Sequence, residues 1–290
     1  MGIFLGLVTA LSWGGSDFIS RFVSRKLGAL RAVFYMQAWG FLLLSVALFF
    51  LRGQNHLFDG SGWRPWAWGI LAGTINTFAM LALYQAFTVG KLTIVAPVSA
   101  SYPALTVLLS FLSGENLSIL RYIGIAVTIL GVVFVARGEG APSMHPDERP
   151  SSPRDGLFWA LVAAFGFGLL FWLLGIHIIP ATGPFAAVWL IRVTGALISM
   201  AILFFRRSPA RPVGKSTTLQ TAGMGFLDTG AFLFSNRGMQ LEQISVVSVL
   251  GSLYGAVTVG LATLFLRERV GRLQWCGIVL IFGGIFFLSR

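Results

Sequence analysis

The stretch 73–97, GTINTFAMLALYQAFTVGKLTIVAP, is written a second time at 225–249 as GFLDTGAFLFSNRGMQLEQISVVSV. Gly73/Gly225, Thr77/Thr229, Ala79/Ala231, Leu81/Leu233 and Val95/Val247 coincide. Working outward, the register continues through Tyr102/Tyr254, Ala104/Ala256, Thr106/Thr258, Val107/Val259 and Leu109/Leu261. A one-residue slip then sets Glu115 on Glu268, Gly124 on Gly277 and Gly131 on Gly284. The starts match as Gly2/Gly156, Phe4/Phe158, Leu7/Leu161 and Ala10/Ala164. One hydrophobic unit thus recurs, as 1–136 and 155–290, around a linker at 137–154. Duplicated membrane units are a mark of carriers, whose substrate sites form where the repeats meet.

Composition names the solvent. Hydrophobic residues make up 56% and charged residues 11% of the 290, and mean hydropathy is +0.81; soluble domains carry roughly 25% charged residues. Apolar runs of about 20 residues, enough to cross a hydrocarbon core of ~30 Å, recur throughout. They fall near 3–22, 32–51, 66–88, 93–112 and 119–136, then 156–176, 185–205, 217–237, 243–266 and 273–289. The expected fold is an all-α integral membrane protein of ten transmembrane helices, arranged as two inverted five-helix repeats. No length remains for a soluble catalytic domain. The first run lacks a small-residue cleavage pattern and belongs to the repeat, so it reads as a span and not as a signal peptide. Cys276 is the sole cysteine, which excludes an internal disulfide and a CxxC metal site.

A net charge of +11 suggests nucleic acid only until the basic residues are located. They cluster at span ends: fifteen in the loops after spans 1, 3, 5, 7 and 9, five on the opposite side, and Arg192 inside a span. Basic loops stay cytoplasmic, so both termini are expected outside, in a multi-pass membrane protein. Five spans per repeat then orient the halves oppositely. The linker, RGEGAPSMHPDERPSSPR, is proline-rich and of mixed charge and reads as a mobile tether. His145 lies there without ligand spacing.

The fourth span holds the clearest local chemistry. Pro97 and Pro103 each remove an amide hydrogen bond and crowd the preceding turn. Freed carbonyls at membrane depth are tolerated only against protein or a wet cavity. Ser99, Ser101 and Tyr102 lie between the prolines; Gly251, Ser252, Tyr254 and Gly255 take the corresponding place in the second half. Pro97, Pro103, Gly251 and Gly255 are therefore candidate gating positions, and Ser99, Tyr102, Ser252 and Tyr254 candidate substrate contacts; a kink used only for packing is the alternative.

Polar groups inside a membrane are costly and mark function. Asp17, Asn76, Tyr84, Gln85, Arg192, Asp228 and Asn236 fall within spans. Asn76, Tyr84 and Asp228 are candidate substrate ligands. Asp17 and Asp228 are also candidate carriers of a coupling proton. Two simpler readings stand beside these: Arg192 and Asp228 neutralise each other, and Asp17 snorkels or pairs with Arg21. Glu115 and Glu268 read as helix-end anchors. Among the aromatics, Trp13, Tyr84, Tyr102, Trp172 and Tyr254 are the cavity candidates, with packing as the alternative for each, whereas Trp63, Trp66 and Trp68 fit an interfacial belt. Gly124, Gly131, Gly277 and Gly284 assign the fifth and tenth spans to close helix packing.

Other function classes fit less well. A channel calls for a polar or charged ring along a pore. An enzyme calls for convergent catalytic groups, yet His56, His145 and His177 all lie near loops. Direct ATP drive needs a P-loop, and Gly214-Lys215-Ser216 lacks its upstream glycine. A carrier without a cofactor or metal, working as a monomer in the lipid bilayer on a small molecule, is expected.

ALSWGGSDF (10–18), IVAPVSASYPALTVLLSFLSGE (94–115) and SVVSVLGSLYGAVTVGLATLFLRE (245–268) resemble the drug/metabolite transporter superfamily, its EamA-type carriers, and within them the aromatic-amino-acid exporters. The resemblance covers both halves. It implies an inner-membrane exporter or facilitator whose central cavity is lined by spans 1, 3, 4, 6, 8 and 9, with amino acids as substrate and cationic drugs or toxic metabolites as the alternative. Two departures separate the halves: Pro97 and Pro103 become Val249 and Gly255, and Trp13-Gly14 falls at Phe167-Gly168.

Overall fold

The structure is a computed structural model and describes residues 1–50, 57, 60–114, 118–137, 156–208, 214–241, 247 and 250–288. Glu115, His56, His145, Val249 and linker residues 138–154, all singled out in the sequence, lie outside the described residues. The first half holds α1 (Gly2–Leu27), α2 (Ala29–Phe50), α3 (Arg64–Val89), α4 (Leu92–Ser99), α5 (Tyr102–Leu112) and α6 (Ile119–Arg137). The second holds α7 (Leu157–Leu173), a π-helical turn (Leu174–Ile178), α8 (Ile179–Thr182), α9 (Pro184–Phe205), α10 (Lys215–Leu241), α11 (Tyr254–Phe265) and α12 (Arg272–Leu288).

Local chemistry sets the helix ends. Gly28, at φ 84°, closes α1 in a backbone region that L side chains avoid. Gly183, at φ 82°, separates α8 from α9, and Pro184 opens α9 where a missing N–H costs nothing. Among the described residues five segments are long and apolar enough to cross a bilayer: Ala29–Ala47, Arg64–Val89, Leu92–Leu112, Leu157–Thr182 and Pro184–Phe205. Ile119–Val135, Leu250–Phe265 and Arg272–Phe287 are shorter apolar helices. The protein is a multi-pass, all-helical membrane protein.

Helix pairings recur with the halves exchanged. α1 packs on α10 as α7 packs on α3; α2 packs on α10 as α9 packs on α3; α1 meets α11 as α7 meets α5. α2 pairs with α9 and α6 with α12. The α6–α12 contact rests on the glycines read from the sequence: a Cβ on Gly131 would sit 2.7 Å from the Gly277 carbonyl oxygen, and one on Gly284 would sit 2.8 Å from that of Gly124. Any larger side chain forces these backbones apart, and close backbone approach holds helices together in lipid.

The fourth run departs from the expected kinked span. It divides into α4 and α5 at Ala100–Ser101, and Pro103 opens α5 in its first turn. Pro97 is the proline inside a helix; Pro103 sits where its ring fits. The second half breaks at the same register without proline: 250–252 are helical, Leu253 is a turn, and α11 begins at Tyr254. Tyr102 and Tyr254 each start the helix after a break.

The basic end of α1 and the start of α2 meet the described ends of α3, α9 and α10 at one end of the bundle. Lys26 donates to Thr217 Oγ1 (2.7 Å) and Arg31 to Ser208 Oγ (2.8 Å). Arg25 donates to the carbonyls of Phe87 and Gly90.

Candidate functional site

At mid-bundle a cavity of about 30 Å³ is lined by Trp13, Asp17, Met80, Leu83, Tyr102, Phe167, Phe171, Asp228, Phe232 and Tyr254. The rings form one assembly. Trp13 meets Phe171, Phe232 and Tyr254 edge-on, at centroid distances of 5.8, 5.3 and 6.0 Å. Phe171 stacks on Tyr102 at 4.8 Å and on Phe232 at 6.0 Å. Such pairs each contribute about 0.5–1.5 kcal/mol beyond the area they bury. The Tyr254 hydroxyl donates to Ser99 Oγ (3.2 Å), and Ser99 donates to the Ala96 carbonyl (3.0 Å), bridging the two broken segments.

The carboxylates differ in their surroundings. Asp228 contacts the Arg192 guanidinium at 2.5 Å, a charge contact with both side chains buried. Arg192 also donates to Gln37 Oε1 (2.9 Å) and Met36 Sδ (3.4 Å), and lies 5.1 Å from the Phe232 ring centre. Its helix crosses α2 at Gly40, where a Cβ would sit 2.8 Å from Arg192 Cδ. Glycine there leaves room for the side chain. The mutual neutralisation read from the sequence is thus present. Asp17 is buried, its Oδ2 has no partner, and it neither snorkels nor pairs with Arg21. Arg21 instead reaches Glu268 at 2.6 Å.

Glu268 is a junction. Besides Arg21 it accepts from the Thr93 backbone N–H (3.0 Å), the Thr93 hydroxyl (2.9 Å) and the Leu92 N–H (3.4 Å). A carboxylate from the second half thereby caps α4 of the first, satisfying amides that a helix start leaves open.

The structure gathers Trp13, Asp17, Tyr102, Asp228 and Tyr254 around the cavity, with Ser99 one hydrogen bond behind. Asn76 and Tyr84 are fully buried on α3; among the described residues neither amide atom of Asn76 has a partner, and neither Asn76 nor Tyr84 borders the cavity. Ser252 is buried outside the lining, and Gly255 faces α4, where a Cβ would sit 3.0 Å from the Ala96 carbonyl oxygen. Gly251 lies beside Trp13, whose ring would be 3.4 Å from an added Cβ. Trp172 lies apart, donating to Ser113 Oγ (3.2 Å) and meeting His177 edge-on. Pro97 and Pro103 are buried at the α4–α5 break.

Phe167, Phe171 and Phe232 are not among the cavity candidates the sequence offers, although the repeat contains them. The register joining Gly2 to Gly156 also joins Trp13 to Phe167 and Asp17 to Phe171; the one joining Thr77 to Thr229 also joins Met80 to Phe232. Both members of each pair line the cavity, as do Tyr102 and Tyr254.

Comparison with known proteins agrees with this architecture. The chain is 30% identical over 135 residues to an uncharacterised protein of Methanocaldococcus jannaschii, covering 46% of this chain and 95% of that one. It is 25% identical over 220 residues to an uncharacterised transporter of Bacillus subtilis, YxxF, covering 74% of this chain and 67% of that one. One solved crystal structure is similar in fold, with a TM-score of 0.65 at 16% identity, covering 99% of this chain and 95% of the other. The sequence model of the EamA-like transporter family matches residues 1–137 and 154–290, and the chain accordingly belongs to that family of membrane transporters.

Proposed function

We propose that the chain is a secondary carrier that exports small, amine-bearing aromatic or amphipathic molecules by alternating access, without ATP. The observation that carries this reading is the cavity, where rings from both halves surround a carboxylate, Asp17, whose Oδ2 has no partner among the described residues. Aromatic faces and an unpaired carboxylate are the chemistry that holds an ammonium. At about 30 Å³ the cavity has room for little more than a water, so the ring assembly must part before a substrate enters.

Two substrate classes meet the ammonium requirement. Neutral and aromatic amino acids, toward which the exporter resemblance points, add a carboxylate. Its natural partner, Arg192, is held by Asp228 and Gln37 and lies outside the lining. Cationic drugs or toxic metabolites need no such exchange of partners, and this observation favours them. The exchanged helix pairings and the two-segment family match support a ten-span fold of two inverted five-helix repeats. The basic end then faces the cytoplasm and the termini face outward, with the monomer as the working unit in a bacterial inner membrane.

The test is counterflow in proteoliposomes with a panel of neutral amino acids, lipophilic cations and sugars. Competition by lipophilic cations supports the favoured class, and competition by aromatic amino acids alone supports the other. Competition by sugars and by neither amine class would overturn the reading.

A further inference from the structure

A second space, of about 640 Å³, opens at the basic end between α2, α3, α7 and α9 and shares no lining residue with the central cavity. Apart from Gln85 and Ser208 its wall below the arginines is apolar, and Phe78, Trp159 and Val162 are exposed on the flank of the bundle, where a membrane protein meets lipid. Its mouth carries Arg31 and Arg206. Arg31 is steered by its bond to Ser208 Oγ, and its buried Nε–H has no acceptor among the described residues. Among the described residues the carboxylates are Asp17, Asp228 and Glu268, and none borders this groove. Two guanidinium groups above a mostly apolar slot, with no carboxylate among its described lining residues and an opening toward the bilayer, match a phosphodiester bearing acyl chains. Guanidinium is suited to phosphate oxygens, and basic pockets between membrane helices bind anionic head groups.

We propose that this groove holds an anionic phospholipid, with its phosphate on Arg31 and Arg206 and an acyl chain along Phe78, Trp159 and Val162. An interfacial tryptophan at the head-group level fits such a boundary. A bound lipid would also tie together the ends of α2 and α9, the pair whose crossing holds Arg192.

The test is native mass spectrometry of the full chain from bilayers of phosphatidylcholine with and without phosphatidylglycerol. The wild type is expected to retain phosphatidylglycerol in preference to phosphatidylcholine, and Arg31→Gln with Arg206→Gln to lower that preference about thirty-fold. Val162→Trp fills the apolar wall while keeping both arginines, and should also lose the lipid. Added inorganic phosphate should leave retention unchanged. Equal retention of the two lipids would overturn the proposal, as would an unaffected arginine variant. Retention intact in Val162→Trp would reduce the site to surface charge. Displacement by phosphate would make it a site for free anions.

Discussion

Asp17 and Asp228 sit in one cavity but in different electrostatic company, which lets substitution separate their roles. Asp228→Asn strips the buried Arg192 of its counter-ion, and breaking such a pair costs about 3–5 kcal/mol. A marked fall in thermal stability in detergent is expected. Asp17→Asn removes a carboxylate whose Oδ2 has no partner among the described residues, so folding should hold. If a proton drives export, the same change should abolish pH-gradient-driven net transport while sparing exchange. Gradient dependence that persists in Asp17→Asn, measured in proteoliposomes, would take that residue out of coupling. Tyr102→Ala and Tyr254→Ala should each weaken substrate binding by about 0.5–1.5 kcal/mol if the rings stack on it, read as a rise in the half-saturating concentration. At this scale the sequence displayed the polar half of the site, because a charge inside a span is conspicuous. Phe167, Phe171 and Phe232 were hidden by composition: phenylalanine also faces lipid, and the chain has 26 of them. Only the repeat register distinguishes them.

The broken helices set the next scale. Both halves interrupt at the residue before Tyr102 or Tyr254, yet only the first has prolines there. Proline is therefore one means of weakening this position and is not what defines it. Pro97→Ala should restore a hydrogen bond within α4 and stiffen it, slowing turnover while folding stays largely intact; wild-type transport rates in Pro97→Ala with Pro103→Ala would remove the break from gating. The proline pattern made the first break legible in the sequence. The second followed only from repeat alignment, and the cap supplied by Glu268 was legible as an anchor but not by partner, since its partners Arg21 and Thr93 lie in the other half. Glu268→Gln keeps an acceptor for Thr93 but loses the charge facing Arg21, so the start of α4 should loosen. In a Cys276→Ser background, Ala96→Cys should then react faster with a thiol reagent applied at the basic end. An unchanged rate would assign the junction to stability alone.

For the whole molecule, the distribution of charge over its two ends decides orientation. Of the loops that the count put on one side, the described ends after spans 1, 3 and 7 share one end of the bundle, as the bonds of Arg25, Lys26 and Arg31 to α3, α10 and Ser208 require. That agreement follows from geometry: spans of similar length return the chain to the same side every second crossing, so periodicity alone predicts it. Which side is cytoplasmic is a separate matter, decided during insertion by the cost of translocating Lys and Arg. On the proposed orientation the fifteen-to-five bias puts the basic end inside, and the groove at Arg31 and Arg206 would then face the leaflet richer in anionic lipid. Exposed positions test this directly in a Cys276→Ser background. Ser216→Cys, at the start of α10, should react with an impermeant maleimide only after cells are permeabilised, and Ser118→Cys, just before α6, should react in intact cells. The reverse pattern would invert the topology and move the lipid groove to the outer leaflet, leaving the internal pairing of the helices untouched.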